Sequence, residues 1–308
     1  MGGVIILVLK IRFLLVDVKK FNERFLKEMS MKKQGILLAA VVLFCAMGLA
    51  QAQDTDLHGS FDLTYQSKYV WRGFDIYDDK SAMQPSLDLD LFGTGLGVSM
   101  MGHRANSSGF EGSERWDYTL YYQNGLFMDE TYAMMYRLGW VYYNYPQHNA
   151  EDADLQEMHA VISLPKMIPA GIVPSYVLVK LWPTSSGSAV AKKYDLSTGI
   201  PPDSSSGTAS GWAHIFMLDY PLTIGGVLPD TPEQVLNLHA EVVFNDGVGP
   251  AGQNVDHDWS NAVFGVSTGF KLSEQVVLTP GVYHQISMDD SVNNEEETWA
   301  TLSMTYKF

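Results

Sequence analysis

The sequence predicts an all-β fold, a transmembrane antiparallel up-and-down β-barrel of twelve strands. Three observations predict it. Segment after segment alternates apolar and polar residues with period two. The connections between those segments fall into a long set and a short set. An export signal precedes them all, and no later run approaches the roughly 18 apolar residues of a helical span.

The signal comes first in the 308-residue chain. From Met31 the sequence reads MKKQGILLAAVVLFCAMGLAQAQD, two lysines and then an apolar run ending in Ala50-Gln51-Ala52. Residues 31–52 are a secretory signal peptide with an A-x-A cleavage site. A lipoprotein reading of Cys45 fails because bulky Phe44 precedes it. Residues 1–30 are apolar and basic, and we read them as an over-extended start, with translation beginning at Met29 or Met31; a genuine long leader is the other reading. Residues 53–308 are then the barrel. They carry 12 Lys and Arg against 32 Asp and Glu, a net charge of −20. Such acidity excludes nucleic acid as a partner, since phosphates need cations. With Cys45 removed no cysteine remains, so disulfides do not hold the exported protein together.

Twelve segments alternate: 57–70, 82–91, 95–104, 114–124, 130–145, 153–164, 172–183, 209–221, 233–245, 259–271, 275–288 and 297–308. In the second, Leu87, Leu89 and Leu91 oppose Ser86, Asp88 and Asp90. In the ninth, Leu236, Leu238, Ala240, Val242 and Phe244 oppose Asn237, His239 and Glu241. The seventh and eighth alternate poorly. Pro174 and Pro280 stand against a closed barrel, which has no edge for a missing N–H, and Pro280-Gly281 reads as a bulge. Connections 71–81, 105–113, 146–152, 184–208, 246–258 and 289–296 are long and polar; the others are mostly short, with 222–232 the exception. Long loops on one rim and tight turns on the other are the plan of an outer-membrane barrel with both termini periplasmic. Tyr69, Trp71, Tyr143, Tyr145, Trp182, Tyr220 and Trp259 crowd strand ends as interfacial girdles do. A soluble β-sandwich alternates too, but does not demand long loops all on one side. The last segment, TWATLSMTYKF, alternates to its final residue, because a last strand that closes a barrel cannot fray. Tyr306 and Phe308 read as the insertion signal for the barrel assembly machinery.

Ser67-Lys68-Tyr69-Val70-Trp71-Arg72-Gly73 resembles the S-x-Y-x-x-R-G stretch of the TorF-type porin-like family of bacterial outer-membrane barrels, carried by Ser67, Tyr69, Arg72 and Gly73. Tyr142-Tyr143-Asn144-Tyr145-Pro146 is similar to that family's Y-x-Y-P stretch, and a strand bearing the Glu157 carboxylate follows it. The resemblance implies location in the outer membrane and a pore-like fold, not a substrate. The long 184–208 loop departs from it.

Chemical motifs are few. Gly265-Val266-Ser267-Thr268-Gly269 matches G-x-S-x-G but lies inside an alternating segment with no helix after it, so it is no nucleophile elbow. His284 shares parity with Val282 and Ile286, on the lipid face, with no Ser partner in view. Asp256-His257-Asp258 are adjacent loop residues that cannot converge on one metal unaided. The reading is not an enzyme, with no cofactor and no metal. Asp62, Lys68, Asp88, Asp90, Arg137, Glu157, His239, Glu241, Lys271 and Lys307 share parity with small or polar neighbours and are the pore-lining candidates, with Arg137, Lys180 and Lys271 a strip that attracts anions. The long rim gathers Asp75, Asp78, Asp79, Glu111, Glu151, Asp152, Asp203, Asp256, Asp258, Asp289, Asp290 and Glu295 to Glu297 against only Lys80, Lys192 and Lys193. One sign of charge at a mouth concentrates counter-ions. The expected function is a narrow outer-membrane channel for passive diffusion of small solutes, cation-preferring. The alternatives are a plugged or non-conducting surface barrel, an adhesin or binding protein, or a barrel lipid hydrolase. Partners are outer-membrane lipids, the barrel assembly machinery and small solutes.

Overall fold

The computed structural model describes residues 57–184, 209–226, 233–250 and 255–308. Residues 1–52, expected from the sequence to be leader, lie outside the described residues, as do Asp203, Lys192 and Lys193, the side chains of Glu151 and Asp152, and most of the 184–208 loop.

Twelve strands form one antiparallel ring. They are β1 (His58–Gln66), β2 (Ala82–Asp90), β3 (Leu96–Ala105), β4 (Arg115–Leu126), β5 (Met134–Asn144) and β6 (Leu155–Ser163). The second half adds β7 (Val173–Pro183), β8 (Gly211–Gly225), β9 (Glu233–Asp246), β10 (His257–Thr268, continued by Phe270–Lys271), β11 (Val276–Ser287) and β12 (Glu297–Lys307). Each pairs with the next in sequence, and β12 pairs with β1. The seam runs to the last residue: the Gly59 amide donates to the Phe308 carbonyl at 2.9 Å and the Phe308 amide returns a bond to Gly59 at 3.0 Å. Tracing the register once around the ring displaces the chain by about 16 residues, a stagger that tilts the strands at roughly 45°.

A closed ring has one inside and one outside, and alternation assigns every strand residue to one of them. Outward residues are large, apolar and exposed: Met158 (53%), Phe264 (50%) and Val282 (52%). Inward residues near L1, the loop described below, are buried even where polar or charged, as Glu157 and Gln285 are, whereas the inward Asp88 side chain is 41% exposed. β7 alternates poorly because both faces are apolar: Tyr176 and Leu178 point out with their paired neighbours, while Val177, Val179 and Leu181 point in. Pro280 marks no bulge. Pairing with β12 continues through Pro280–Leu302, and the register with β10 is the same on either side of Gly269. The missing N–H interrupts one ladder without shifting it. A register shift occurs instead at Val243/Phe244 against β10.

The larger departure concerns the first long loop, 67–81, here called L1. The sequence reading set it out on the rim. In the structure its first part turns inward, with Tyr69, Phe74 and Tyr77 buried and only Asp78, Asp79 and Lys80 left exposed. Val70–Trp71 and Phe74–Asp75 form a two-residue hairpin. Arg72 (φ 51°) and Gly73 (φ 94°) both occupy positive φ at its turn, as a primed hairpin turn requires. The cause is composition: Tyr69, Val70, Trp71, Phe74, Ile76 and Tyr77 are too apolar for a solvated loop, and the lumen offers them cover.

Candidate functional site: a lumen crossed by the first loop

L1 is held from several sides. At the tip, the Arg72 guanidinium donates twice to Glu157 on β6, at 2.7 and 2.9 Å. The same carboxylate accepts the Tyr143 hydroxyl at 2.7 Å. One residue on, the Gly73 carbonyl accepts the Gln285 amide of β11 at 2.9 Å. β6 and β11 stand five strands apart in a ring of twelve, so the hairpin tip bridges the lumen almost along a diameter. A side chain at Gly73 would meet Asn261 of β10 and Val292 of the loop after β11 at 2.7 Å, so a glycine suits this close approach.

Behind the tip, Trp71 packs edge-on to Tyr143 (centroids 6.1 Å) and lies beneath the guanidiniums of Arg72 (4.5 Å) and Arg115 (4.9 Å). Arg115 pairs with Asp117 at 2.6 Å and donates to the Tyr69 hydroxyl at 3.1 Å. Asp117 also holds His103 Nε2 at 2.9 Å, and His103 Nδ1 meets the Gln84 amide nitrogen at 2.8 Å. Since Nδ1 accepts from that amide, Nε2 carries the proton donated to Asp117. The Tyr77 hydroxyl donates to the His103 carbonyl at 2.9 Å. Apolar residues of β5 to β9, with Val141, Leu155, Val179, Leu181, Ile215 and Val243 at their centre, complete the bed for Trp71. The two motif stretches and Glu157, far apart in sequence, thus meet in one cluster. Its glycine makes the turn, its arginine makes the bridge, and its tyrosines pack and hydrogen-bond beneath them.

The base of L1 is tied to the rim. Lys68 bridges Asp79 and Glu297, the latter at 2.8 Å. Its hydrogen bonds to these two carboxylates, Asp79 first, raise the ammonium's pKa above the ordinary lysine value. Burial pushes the Asp75 carboxyl up from its usual range, opposed by the Asp79 and Tyr77 amides that it accepts. Asp75, Asp79 and Glu297 come close enough together to resemble a cation site, but the Lys68 ammonium already bonds two of the three.

The remaining sequence candidates divide. Asp62, Asp88, Arg137, Glu157, His239 and Glu241 all face inward. Asp62 accepts the Thr64 and Thr305 hydroxyls at 2.5 and 2.6 Å. Asp88 takes the Tyr121 hydroxyl at 2.7 Å, and Arg137 stacks on that ring at 3.6 Å with its charge 3.8 Å from Asp88. His239 sits between Asp219 (2.8 Å) and Glu241 (3.8 Å). Asp90 shares the inward parity but caps the turn after β2 through the Gly93 amide at 2.7 Å. Lys271 and Lys307 are exposed at the short-turn rim, Lys307 at the seam and Lys271 on β10.

Several expectations need correction. Lys180 is not inward: it pairs with Met158 and Trp212 on the outer face and lies 5.2 Å from the Trp212 ring. Tyr69, Trp71 and Tyr143 are not girdle residues, because L1 draws them into the interior, and Tyr145 packs against the same cluster; Trp182, Tyr220 and Trp259 do face outward. Glu297 is not a free rim acid but a buried partner of Lys68, and Asp289 is buried while capping the Ser291 amide. His257 of the Asp-His-Asp run bonds Asp246 while Asp258 bonds the Trp259 amide, so the three do not converge. His284 does point outward and has a hydroxyl partner after all, Thr298 across the ladder at 2.9 Å, with Glu296 3.8 Å from the other ring nitrogen. The G-x-S-x-G run stays in β10, where Gly265 leaves room for the Tyr283 ring.

No protein-family model and no curated protein matches the chain, so the TorF-type resemblance rests on its motifs alone. Among solved structures it is similar to a KdgM porin (9% identity, 81% of this chain and 99% of that one, TM-score 0.44). It is also similar to a NanC porin (9%, 80% and 100%, TM-score 0.47) and to the COG4313 outer membrane channel from Pseudomonas putida F1 (12%, 82% and 94%, TM-score 0.45). These are likenesses of general barrel form; the ring itself stands on the chain's own strand pairing.

Proposed function

We propose that the mature chain is a porin-like channel of the outer membrane, for passive diffusion of small solutes, with L1 as its constriction. The observation that carries this is the lumen: a closed ring with an exposed apolar outside and an inside that is apolar only where L1 packs, crossed by one hairpin near the long-loop rim. An exposed apolar surface over a whole ring is unstable in water and suits lipid. In the short-turn half, the wall from β9 through β12 to β2 is lined largely by Ser, Thr, Asp and Gly.

Charge supports cation preference. The cations facing the lumen are largely consumed: Arg72 by Glu157, Arg115 by Asp117, Lys68 by Asp79 and Glu297, and Arg137 beside Asp88. Asp62 has no Lys, Arg or His partner among the described residues, and Asp219 and Glu241 share the single His239. Fixed carboxylates in a narrow bore favour cations, and the preference fades as the screening length falls to about 3 Å at 1 M salt. Reversal potentials across a planar bilayer under a potassium chloride gradient test the sign. Cation preference that weakens in high salt is expected; anion preference refutes it.

A second reading is a plugged barrel that acts only through its surface, and the Glu157–Arg72–Gly73–Gln285 bridge favours it. Correctly folded protein that passes no current at any voltage would select it.

A further inference from the structure

Beneath the L1 hairpin, on the β9 to β12 side, a cavity of about 170 Å³ opens in the lumen. Val70, Arg72 and Gly73 roof it, and His239, Glu241, Gln285 and Trp299 are among its walls. The donors and acceptors there are unevenly spent. Arg72 gives two N–H groups to Glu157, His239 Nδ1 is engaged with Asp219, and the Gln285 amide nitrogen is bonded to the Gly73 carbonyl. That last bond also fixes which way the amide points, since a carbonyl can only accept. Gln285 Oε1 is left without a partner although the residue is wholly buried. A buried acceptor without a donor costs about 1–3 kcal/mol, so its place in a cavity wall points to something that enters and donates. The Glu241 carboxylate, the second acceptor of the wall, has only His239 Nε2 at 3.8 Å. Tyr283 and Trp299 stack 5.5 Å apart, 15° from parallel, and supply electron-rich ring surface.

We propose that this cavity is a binding station for a small organic cation bearing N–H donors, of the guanidinium or primary amine class. The ligand donates to Gln285 Oε1 and Glu241, and its charge rests against the rings of Tyr283 and Trp299. The inference rests on the channel reading for how the ligand arrives, but not for whether it binds.

The mature protein, folded in detergent micelles, is titrated by calorimetry with methylguanidinium and with tetramethylammonium, which has the charge but no N–H. The same two cations are then added to single channels in a planar bilayer. Methylguanidinium is expected to bind at least tenfold more tightly and to interrupt the current, and Glu241→Gln, which keeps side-chain size, to weaken it about tenfold. Folded state is checked by heat-modifiable gel migration, and Trp299→Phe, which keeps a ring, should retain most of the affinity. Equal affinity for the two cations, or unchanged affinity in Glu241→Gln, overturns the proposal. Binding without any conductance supports the cavity and removes the channel; cation-selective conductance without binding removes the cavity and leaves the channel.

Discussion

The two halves of the lumen obey one alternation rule and are built to opposite ends. On the long-loop side, inward positions are Val141, Tyr143, Leu155, Val179, Leu181 and Val243, and charges appear only in pairs. On the short-turn side, inward positions are Asp62, Thr64, Ser86, Asp88, Asn237 and Ser267; Asp62 stands without Lys or Arg beside it, and Asp88 has Arg137 only at 3.8 Å. The first half is a protein core that happens to lie inside a barrel; the second is a polar wall. An inward position therefore does not imply a pore-lining one. What lies opposite decides, and opposite the first half lies L1.

Both halves presuppose the seam, so the largest effect comes there. Phe308→Asp places a charge on an outward, 43% exposed aromatic position where β12 pairs with β1. Most of the folded yield should be lost, as read by heat-modifiable migration; wild-type yield would show that the terminal aromatic does not guide assembly.

Next come the packed half's charges. Arg72→Ala strands the buried Glu157, and breaking such a pair by removing one partner costs about 3–5 kcal/mol. Alanine keeps a Cβ at the left-handed turn position and only glycine relieves it, so Arg72→Gly should lose less than Arg72→Ala. Urea unfolding in lipid vesicles compares them. In the polar half, Asp62→Asn should change stability by under about 1 kcal/mol, since its partners are two hydroxyls, while lowering cation preference. Stability losses of equal size in the two halves would erase the distinction drawn between them.

The smallest effect is one of pH. Because Lys68 gains carboxylate partners on folding, its raised pKa contributes stability that is fully present below the ordinary lysine value of about 10.4. It is lost only as pH rises beyond that through the raised value. The resistance of L1 to proteolysis between pH 7 and 9 should therefore stay level; loosening of L1 in that window would mean that Lys68 does not tie it.

The ring was legible in the sequence, and the loop was not. Alternation placed each strand within a few residues of its observed ends, because the two solvents of a barrel wall impose period two on every strand. It weakened at β7, where a second apolar surface inside the barrel removes the contrast. L1 was misread through its tail: Asp75, Asp78, Asp79 and Lys80 gave it the charge of a rim loop, and Trp71 beside a strand end looked like a girdle. The signal that spoke otherwise was six apolar residues between Tyr69 and Tyr77, a density with no use in a solvated loop. Asp62, Glu157 and Glu241 could be assigned to the inside by parity. Which of them an arginine from a loop neutralises is a long-range fact, and one sequence does not carry it.

The constriction is tested most directly by single-channel recording of the mature protein beside a variant with Val70–Asp75 replaced by a short Gly-Ser link. That change removes the bridge between Glu157 and Gln285 while leaving every barrel strand intact. A small wild-type conductance that rises several-fold in the variant, with cation preference kept, is the expected result. Equal conductance in the two folded proteins would contradict it.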